Sequence, residues 1–118
     1  MPRVKGGPRT RRRHKKVLAL TKGHRATKHS LYRRAHESML HSLSYAYVHR
    51  RDRKGDMRRL WIARINAATR AEGFTYGQFM DGLRKSSIEV NRKQLADMAI
   101  REPGSFTELV HLVQTDRS

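Results

Sequence analysis

The side chains of this sequence that could do chemistry are mostly cationic, and the densest group is a run of six from Arg11 to Lys16. Guanidinium and ammonium groups bind phosphate through charge and through directed N–H donors. On a helix this run covers every direction, so it leaves no face for packing against protein. Such a run is typical of a segment that is solvated when free and becomes ordered on a polyanion.

Residues that could support catalysis do not form a recognisable set. Ser and His occur without a nucleophile arrangement, and Gly6-Gly7 lacks both the length and the Lys-Ser/Thr ending of a phosphate loop. Cysteine is absent, which excludes disulfides and thiolate ligands. Five histidines lack the i, i+4 spacing of a helical metal site: His24, His29, His36, His41 and His49. We therefore expect no enzyme, no metal and no cofactor, and we interpret the histidines as polar or phosphate-contacting groups.

Charge is distributed very unevenly along the 118 residues. The net charge is +17 and the pI is about 11.5. Residues 1–60 hold 19 of the 27 Lys and Arg against three carboxylates, whereas residues 61–118 hold eight against seven. A polyanion is therefore the leading class of partner.

The longest apolar runs, such as Val17–Leu20, are too short for a signal peptide or a membrane span, so we expect an internal protein without a membrane partner.

Helical patterns follow a short polar start. Residues 1–9 contain Pro and Gly without apolar periodicity, which predicts an extended tail. Thr10 is a candidate N-cap for a helix that runs to Leu20 and is ended by Gly23. A single long helix is then expected from about Ser30 to Ala71, with Gly55 as the point where it could bend or break.

Two apolar stripes are expected on the long helix. The stripe between Leu31 and Tyr47 has no obvious partner within the chain; it could cover the apolar residues near Val17, or receive a neighbouring protein or an RNA groove. The second stripe is predicted to comprise Met57, Leu60, Trp61, Ile65, Ala67, Ala68 and Ala71. The opposite, polar side is predicted to comprise Arg58, Arg59, Asn66, Thr69 and Arg70. Arg64 falls inside the apolar stripe, so either its stem passes the core to reach an anion or it is a buried, paired charge.

Boundary signals in the last third of the chain are clear. Thr75 with Gln78, and Asn91 with Gln94, have the spacing of capping boxes, and they predict helices that end near residues 86 and 101. The last helix begins either with Pro103 in its first turn or with a capping box at Ser105 and Glu108. No segment alternates like a strand, so the predicted fold class is all-α.

For the aromatic residues of the C-terminal half, a place in the core is a more frequent role than a platform on which bases stack. Trp61, Phe74, Phe79 and Phe106 recur at helical or staple spacing. For Tyr76 both a core role and contact with a ligand are possible, because it lies in the first turn of a predicted helix, next to the Thr75 cap. The predicted organisation is a long basic N-terminal helical extension over residues 1–57 and a small C-terminal helical domain over residues 58–118.

Several motifs resemble the bacterial-type large-subunit ribosomal protein L-twenty family, essentially from end to end. They are Met1–Lys5, Arg11–Leu18, Lys22-Gly23, Arg58–Ala68, Phe79 with Gly82-Leu83, Asn91-Arg92-Lys93 and Leu95-Ala96-Asp97. The resemblance implies a non-enzymatic protein of the cytoplasmic ribosome whose extension threads into large-subunit ribosomal RNA and whose helical domain recognises an RNA junction. It also implies a role early in subunit assembly, a place beside ribosomal protein L-twenty-one and, in some members, repression of the protein's own messenger RNA.

The chain departs from this family at a few positions. Gly55 stands where the family usually has a good helix former, and Pro8 where it more often has an aliphatic residue. The histidines between residues 29 and 49 make the extension less permanently charged than is typical.

The residues expected to bind RNA share a cationic or amide side chain on the extension or on the polar faces of the domain. They are Arg3, Lys5, Arg9, Arg11, Arg12, Arg13, His14, Lys15, Lys16, Lys22, Arg25, Arg33, Arg34, Arg50, Arg51, Arg53, Lys54, Arg58, Arg59, Asn66, Arg70, Asn91, Arg92 and Lys93. At the start of the helix after Asn91, two cations add to the free N–H groups and the positive end of the helix dipole, which predicts a local anion site.

The alternative to a ribosomal RNA-binding protein is an architectural DNA-compacting protein. It would favour duplexes and would dimerise, but the uneven charge does not suggest a symmetric dimer, so we expect no homo-oligomer.

Overall fold

The computed structural model describes residues 1–115, and all regular structure in that range is helical. The elements are α1 (Gly7–Leu20), a 3-10 turn (Ala26–His29), α2 (Tyr32–Ala71), α3 (Tyr76–Lys85), α4 (Arg92–Arg101) and α5 (Pro103–Thr115). The all-α prediction is confirmed. Backbone contacts divide the chain into residues 1–51 and a second unit that starts at Asp52. The last three residues of the predicted domain 58–118 lie outside the described residues.

Helix α1 begins four residues earlier than the sequence pattern predicts. Gly6, with φ of +67°, is the N-cap, and Pro8 lies in the first turn, where its missing N–H is not needed. The N–H of Thr10 donates to the carbonyl of Gly6 (3.3 Å), so Thr10 is inside the helix. The predictions of a tail up to residue 9 and of a Thr10 cap are therefore wrong, because Gly6 is the N-cap and Pro8 is accommodated in the first turn of the helix instead of preventing it. The end at Leu20 is confirmed.

The first unit is held by a few contacts between α1 and the beginning of α2. Val17 and Ala35 are buried, and the His14 ring stacks on Tyr32 with centroids 3.7 Å apart. Thr21 is fully buried, and its hydroxyl donates to the carbonyl of Val17 (3.3 Å). Because the hydroxyl is satisfied by the backbone one turn earlier, its burial costs little.

The predicted stripe between Leu31 and Tyr47 is covered only in part. Tyr32, Ala35 and Met39 are buried or half-buried. The exposed apolar side chains of this stretch are Leu31, Leu40, Leu43, Tyr45, Tyr47 and Val48.

Helix α2 is continuous through Gly55. It starts at Tyr32, two residues later than expected, and ends at Ala71 as predicted. A Schellman motif closes it. The N–H of Phe74 donates to the carbonyl of Thr69 (2.9 Å), that of Gly73 donates to Arg70 (3.1 Å), and Gly73 has the φ of +80° that this motif requires.

The inward face of the last part of α2 is narrower than the predicted stripe. Ile65 and Thr69 are fully buried, and Trp61 is half-buried. The assignment of Thr69 to the polar side is wrong. Its hydroxyl donates to the carbonyl of Asn66 (3.2 Å), which lets this small residue occupy a core position. Ala68 is half-buried as expected, but four residues placed in the stripe are exposed, because the core meets only one seam of the helix: Met57, Leu60, Ala67 and Ala71.

The core of the second unit joins the last part of α2 to α3, α4 and α5. Its buried members are Ile65, Phe79, Leu83, Leu95, Ala96, Phe106, Val110 and Val113. Phe79 and Phe106 are tilted rings with centroids 5.4 Å apart. Both predicted capping boxes are present. Helix α5 starts at Pro103, which selects the first of the two predicted starts.

Candidate nucleic acid interface

Four of the predicted cations converge on one groove of the second unit. This groove has a volume of about 580 Å³, and we call it the Trp61 groove; its lining is Lys54, Gly55, Arg58, Trp61, Asn91, Arg92 and Lys93. One wall comes from α2 and the other from the start of α4. No carboxylate is among these lining residues. A groove of this kind offers charge and N–H donors to an anion without internal competition.

Arg92 is the best-positioned cation of the groove. It is half-buried, and its Nε donates to the Tyr76 hydroxyl (2.7 Å) at the start of α3. The guanidinium has four further N–H donors, so this bond orients the group without using up its capacity to bind phosphate. Tyr76 also packs against the core. Tyr76 therefore packs against the core and also holds a cation, while its direct contact with a ligand stays a prediction.

Asn91 forms the corner between the connecting loop and α4. Its Oδ1 accepts from the N–H of Gln94 (2.9 Å), while Gln94 Oε1 accepts from the N–H of Asn91 (3.4 Å). The capping box thus uses one of the N–H groups that the sequence assigned to an anion. The side chains of Arg92 and Lys93, more than the helix end, supply the positive charge at this place.

A second groove, with a volume of about 520 Å³, shares Trp61, Asn91 and Lys93 with the first. Its lining is Trp61, Arg64, Asn91, Lys93, Gln94, Ala96, Asp97 and Arg101. Arg101 Nε forms an ion pair with Asp97 Oδ1 (2.9 Å). Sequence reasoning missed Arg101, left Arg64 open between reaching an anion and being a buried paired charge, and favoured a core role for Trp61 over base stacking. Arg64 is exposed and lies three residues after Trp61 on the same helix. Residues at this spacing are neighbours on a helix surface, and this spacing was the sequence signal that places Arg64 beside the indole.

Other predicted residues of the second unit do not line these two grooves. Arg59 is ion-paired with Asp56 one turn away. Arg70 Nε donates to Asn66 Oδ1 (3.3 Å), so these two side chains bind each other on the α2 surface. Arg53 is exposed on α2.

Most predicted RNA-binding residues of the first unit are exposed. Arg3 and Lys5 precede α1, the run from Arg9 to Lys16 lies on it, and Lys22 and Arg25 lie in the connection to α2. His14 differs because it is half-buried against Tyr32.

The remaining predicted RNA-binding cations of this unit lie on α2. Arg33 is exposed, and Arg34 has Glu37 at 3.8 Å. Arg51 lies over the Tyr47 ring and donates to its hydroxyl (3.2 Å), while Arg50 is exposed.

A row of rings follows one side of α2 in the first unit. His41, Tyr45 and His49 are spaced one turn apart, with successive centroids at 6.1 Å. They border a groove of about 660 Å³ whose other lining residues include Lys28. The histidines of this row are exposed, and their interpretation as polar or phosphate-contacting groups stays a prediction.

The described residues include no cluster of three or more His, Cys, Asp or Glu side chains able to hold a metal ion. Within residues 1–115, no helix has the length and hydropathy needed to cross a bilayer.

An all-helical chain with this charge, and with four cations gathered into a groove free of opposing carboxylates, belongs to the class of polyanion-binding proteins. The family model described as Ribosomal protein L20 matches residues 3–109. Curated proteins from bacteria are similar over nearly the whole chain. The chain therefore belongs to the ribosomal protein L20 family.

Three of these relatives, all called large ribosomal subunit protein bL20, illustrate the similarity. The protein from Dehalococcoides mccartyi is 66% identical over 106 residues, which cover 90% of this chain and 89% of the relative. That from Natranaerobius thermophilus is 54% identical over 114 residues, 97% of each chain. That from Heliobacterium modesticaldum is 49% identical over 114 residues, 97% of this chain and 96% of the relative.

Proposed function

We propose that this chain is a structural, non-enzymatic protein of the bacterial large ribosomal subunit that binds large-subunit ribosomal RNA. The observation that carries the proposal beyond the family is the Trp61 groove, where Lys54, Arg58, Arg92 and Lys93 face a common space. Phosphates of a folded RNA approach from several directions, and cations that converge from two helices suit that arrangement.

The two parts of the chain have different tasks in this proposal. The exposed cations of residues 1–57 neutralise phosphates over a long contact and supply affinity that falls with salt. The grooves of residues 58–118, together with Lys54, position the RNA in one orientation and supply preference. This division follows the charge of +16 for residues 1–60 against +1 for residues 61–118.

A role early in subunit assembly, a place beside ribosomal protein L-twenty-one and repression of the chain's own messenger RNA belong to the same proposal. The resemblance of the chain's motifs to the L-twenty family supports them.

The proposal is tested by expressing the tagged chain in a bacterium and separating lysates on a density gradient. We expect the chain in the large-subunit fraction, retained after a salt wash that removes peripheral proteins. Recovery with the nucleoid instead of the subunit would contradict the proposal and favour the DNA-compacting alternative.

A further inference from the structure

The only tryptophan of the chain lies at the boundary between the core and the basic surface. Trp61 packs against the core of the second unit, yet it is half-buried and borders both the Trp61 groove and the second groove. A tryptophan that served the core alone would be covered by its neighbours. Here part of the indole faces solvent where cations are concentrated.

The cations that line the two grooves with Trp61 favour phosphates in both of them. In the Trp61 groove the indole adjoins Arg58, Arg92 and Lys93, and in the second groove it adjoins Arg64. Lys93 and Asn91 border both grooves with it, so a backbone that passes from one groove to the other would meet Lys93 at the crossing. Asp97 also lines the second groove, but it is ion-paired with Arg101.

An aromatic ring between cations is the arrangement by which proteins hold unpaired nucleotides, because every base has a face that can stack. A base within a duplex is already stacked on its neighbours and cannot reach such a ring without being extruded. Inorganic anions would use the cations and leave the ring unused.

We propose that Trp61 is a stacking platform for an unpaired nucleotide of the bound RNA, whose flanking phosphates contact Arg58, Arg92 and Lys93. This inference rests on the proposed function and names the element of RNA structure that the second unit selects: a single-stranded or bulged nucleotide. The sequence favoured a core role for Trp61 over base stacking, and this inference assigns the residue both roles.

Intrinsic fluorescence of the full-length chain tests this directly, because every tryptophan signal comes from Trp61. We expect oligoadenylate to quench this fluorescence, and inorganic polyphosphate of matched charge to bind without comparable quenching. Binding of both ligands is followed independently by competition with a labelled oligonucleotide. Equal quenching by the two ligands, or none by bound oligoadenylate, would overturn the inference.

Two variants separate stacking from charge. Trp61→Leu keeps an apolar contact with the core but cannot stack, so affinity for oligoadenylate should fall about fivefold or more, whereas affinity for polyphosphate is retained. Trp61→Phe should restore part of the oligoadenylate affinity. Circular dichroism verifies that each variant is folded, and the fluorescence experiment on the unmodified chain decides the matter if Trp61→Leu is not. Equal losses for both ligands in a folded Trp61→Leu variant would contradict stacking.

The same titration with large-subunit ribosomal RNA and an unrelated structured RNA distinguishes this inference from the proposed function. Quenching without preference for the ribosomal RNA would overturn the proposed function and leave the stacking site. Preferential binding without quenching would overturn the stacking site alone.

Discussion

The Nε of Arg92 lies 2.7 Å from the Tyr76 hydroxyl, which links the first turns of α3 and α4 across 16 positions of the sequence. Tyr76 packs on the core, so the hydrogen bond connects the guanidinium to the packed interior of the unit. The interface therefore has a cation whose position is set by folding before any RNA is bound, and this reduces the ordering cost of binding.

Removing that hydroxyl tests the link. Tyr76→Phe should leave the fold intact and lower RNA affinity by less than about tenfold, as expected for one hydrogen bond worth about 1 kcal/mol. Filter binding measures the affinity and thermal melting measures stability. Tyr45→Phe is the matched control, since it removes an exposed hydroxyl outside both grooves of the second unit. Equal affinities of the two variants would show that Arg92 needs no anchor.

The contribution of the groove's positive charge to binding is tested by a double variant, Arg58→Ala with Lys93→Ala. Both side chains are exposed and line the Trp61 groove. The slope of log affinity against log salt should decrease by about 0.7 to 0.9 for each phosphate that the variant no longer neutralises. The melting temperature should be unchanged, because neither side chain is in the core. Arg84→Ala combined with Lys85→Ala removes the same charge at the end of α3, outside the two grooves. If the slope of that control variant decreases as much, the groove has no special part in binding.

Close packing of α3 on α5 predicts that Gly82→Ala is strongly destabilising. A Cβ at Gly82 would overlap the Val113 side chain, and both residues are buried. We expect a decrease of about 1–3 kcal/mol in the free energy of unfolding. Gly77→Ala in the same helix meets nothing within 4 Å and should change stability by less than about 1 kcal/mol, in the stabilising direction. Similar melting curves for the two variants would contradict this packing.

Gly55 offers a test of the continuity of α2. It is helical and a Cβ there would meet open space, so Gly55→Ala should stabilise the helix by about 0.5–1 kcal/mol. Circular dichroism should show equal or greater helicity and a higher melting temperature. A lower melting temperature would mean that the chain needs the flexibility of glycine at this position.

Local signals in the sequence predicted the helix ends of the second unit well. Thr75 and Asn91 cap their helices as expected, because a capping box is decided within four residues. The start of α1 was missed because its signal, a left-handed Gly6 before Pro8, is easily mistaken for a break.

The site was harder to predict than the helices. The sequence identified Arg58, Arg92 and Lys93 as cations, but a helical wheel of α2 cannot show that α4 begins opposite Trp61. It also placed Thr69 on the polar side, since a satisfied hydroxyl in the core has no pattern in sequence. Which cations converge depends on tertiary contacts, and these appear only in the structure.

The central claim is that the chain recognises large-subunit ribosomal RNA rather than any polyanion. The most direct test is competition binding of the full-length chain to large-subunit ribosomal RNA, unrelated structured RNA and duplex DNA across a salt series. We predict that preference for the ribosomal RNA persists at high salt and is reduced by Arg58→Ala with Lys93→Ala. Preference that vanishes with salt, or that favours duplex DNA, would contradict the claim.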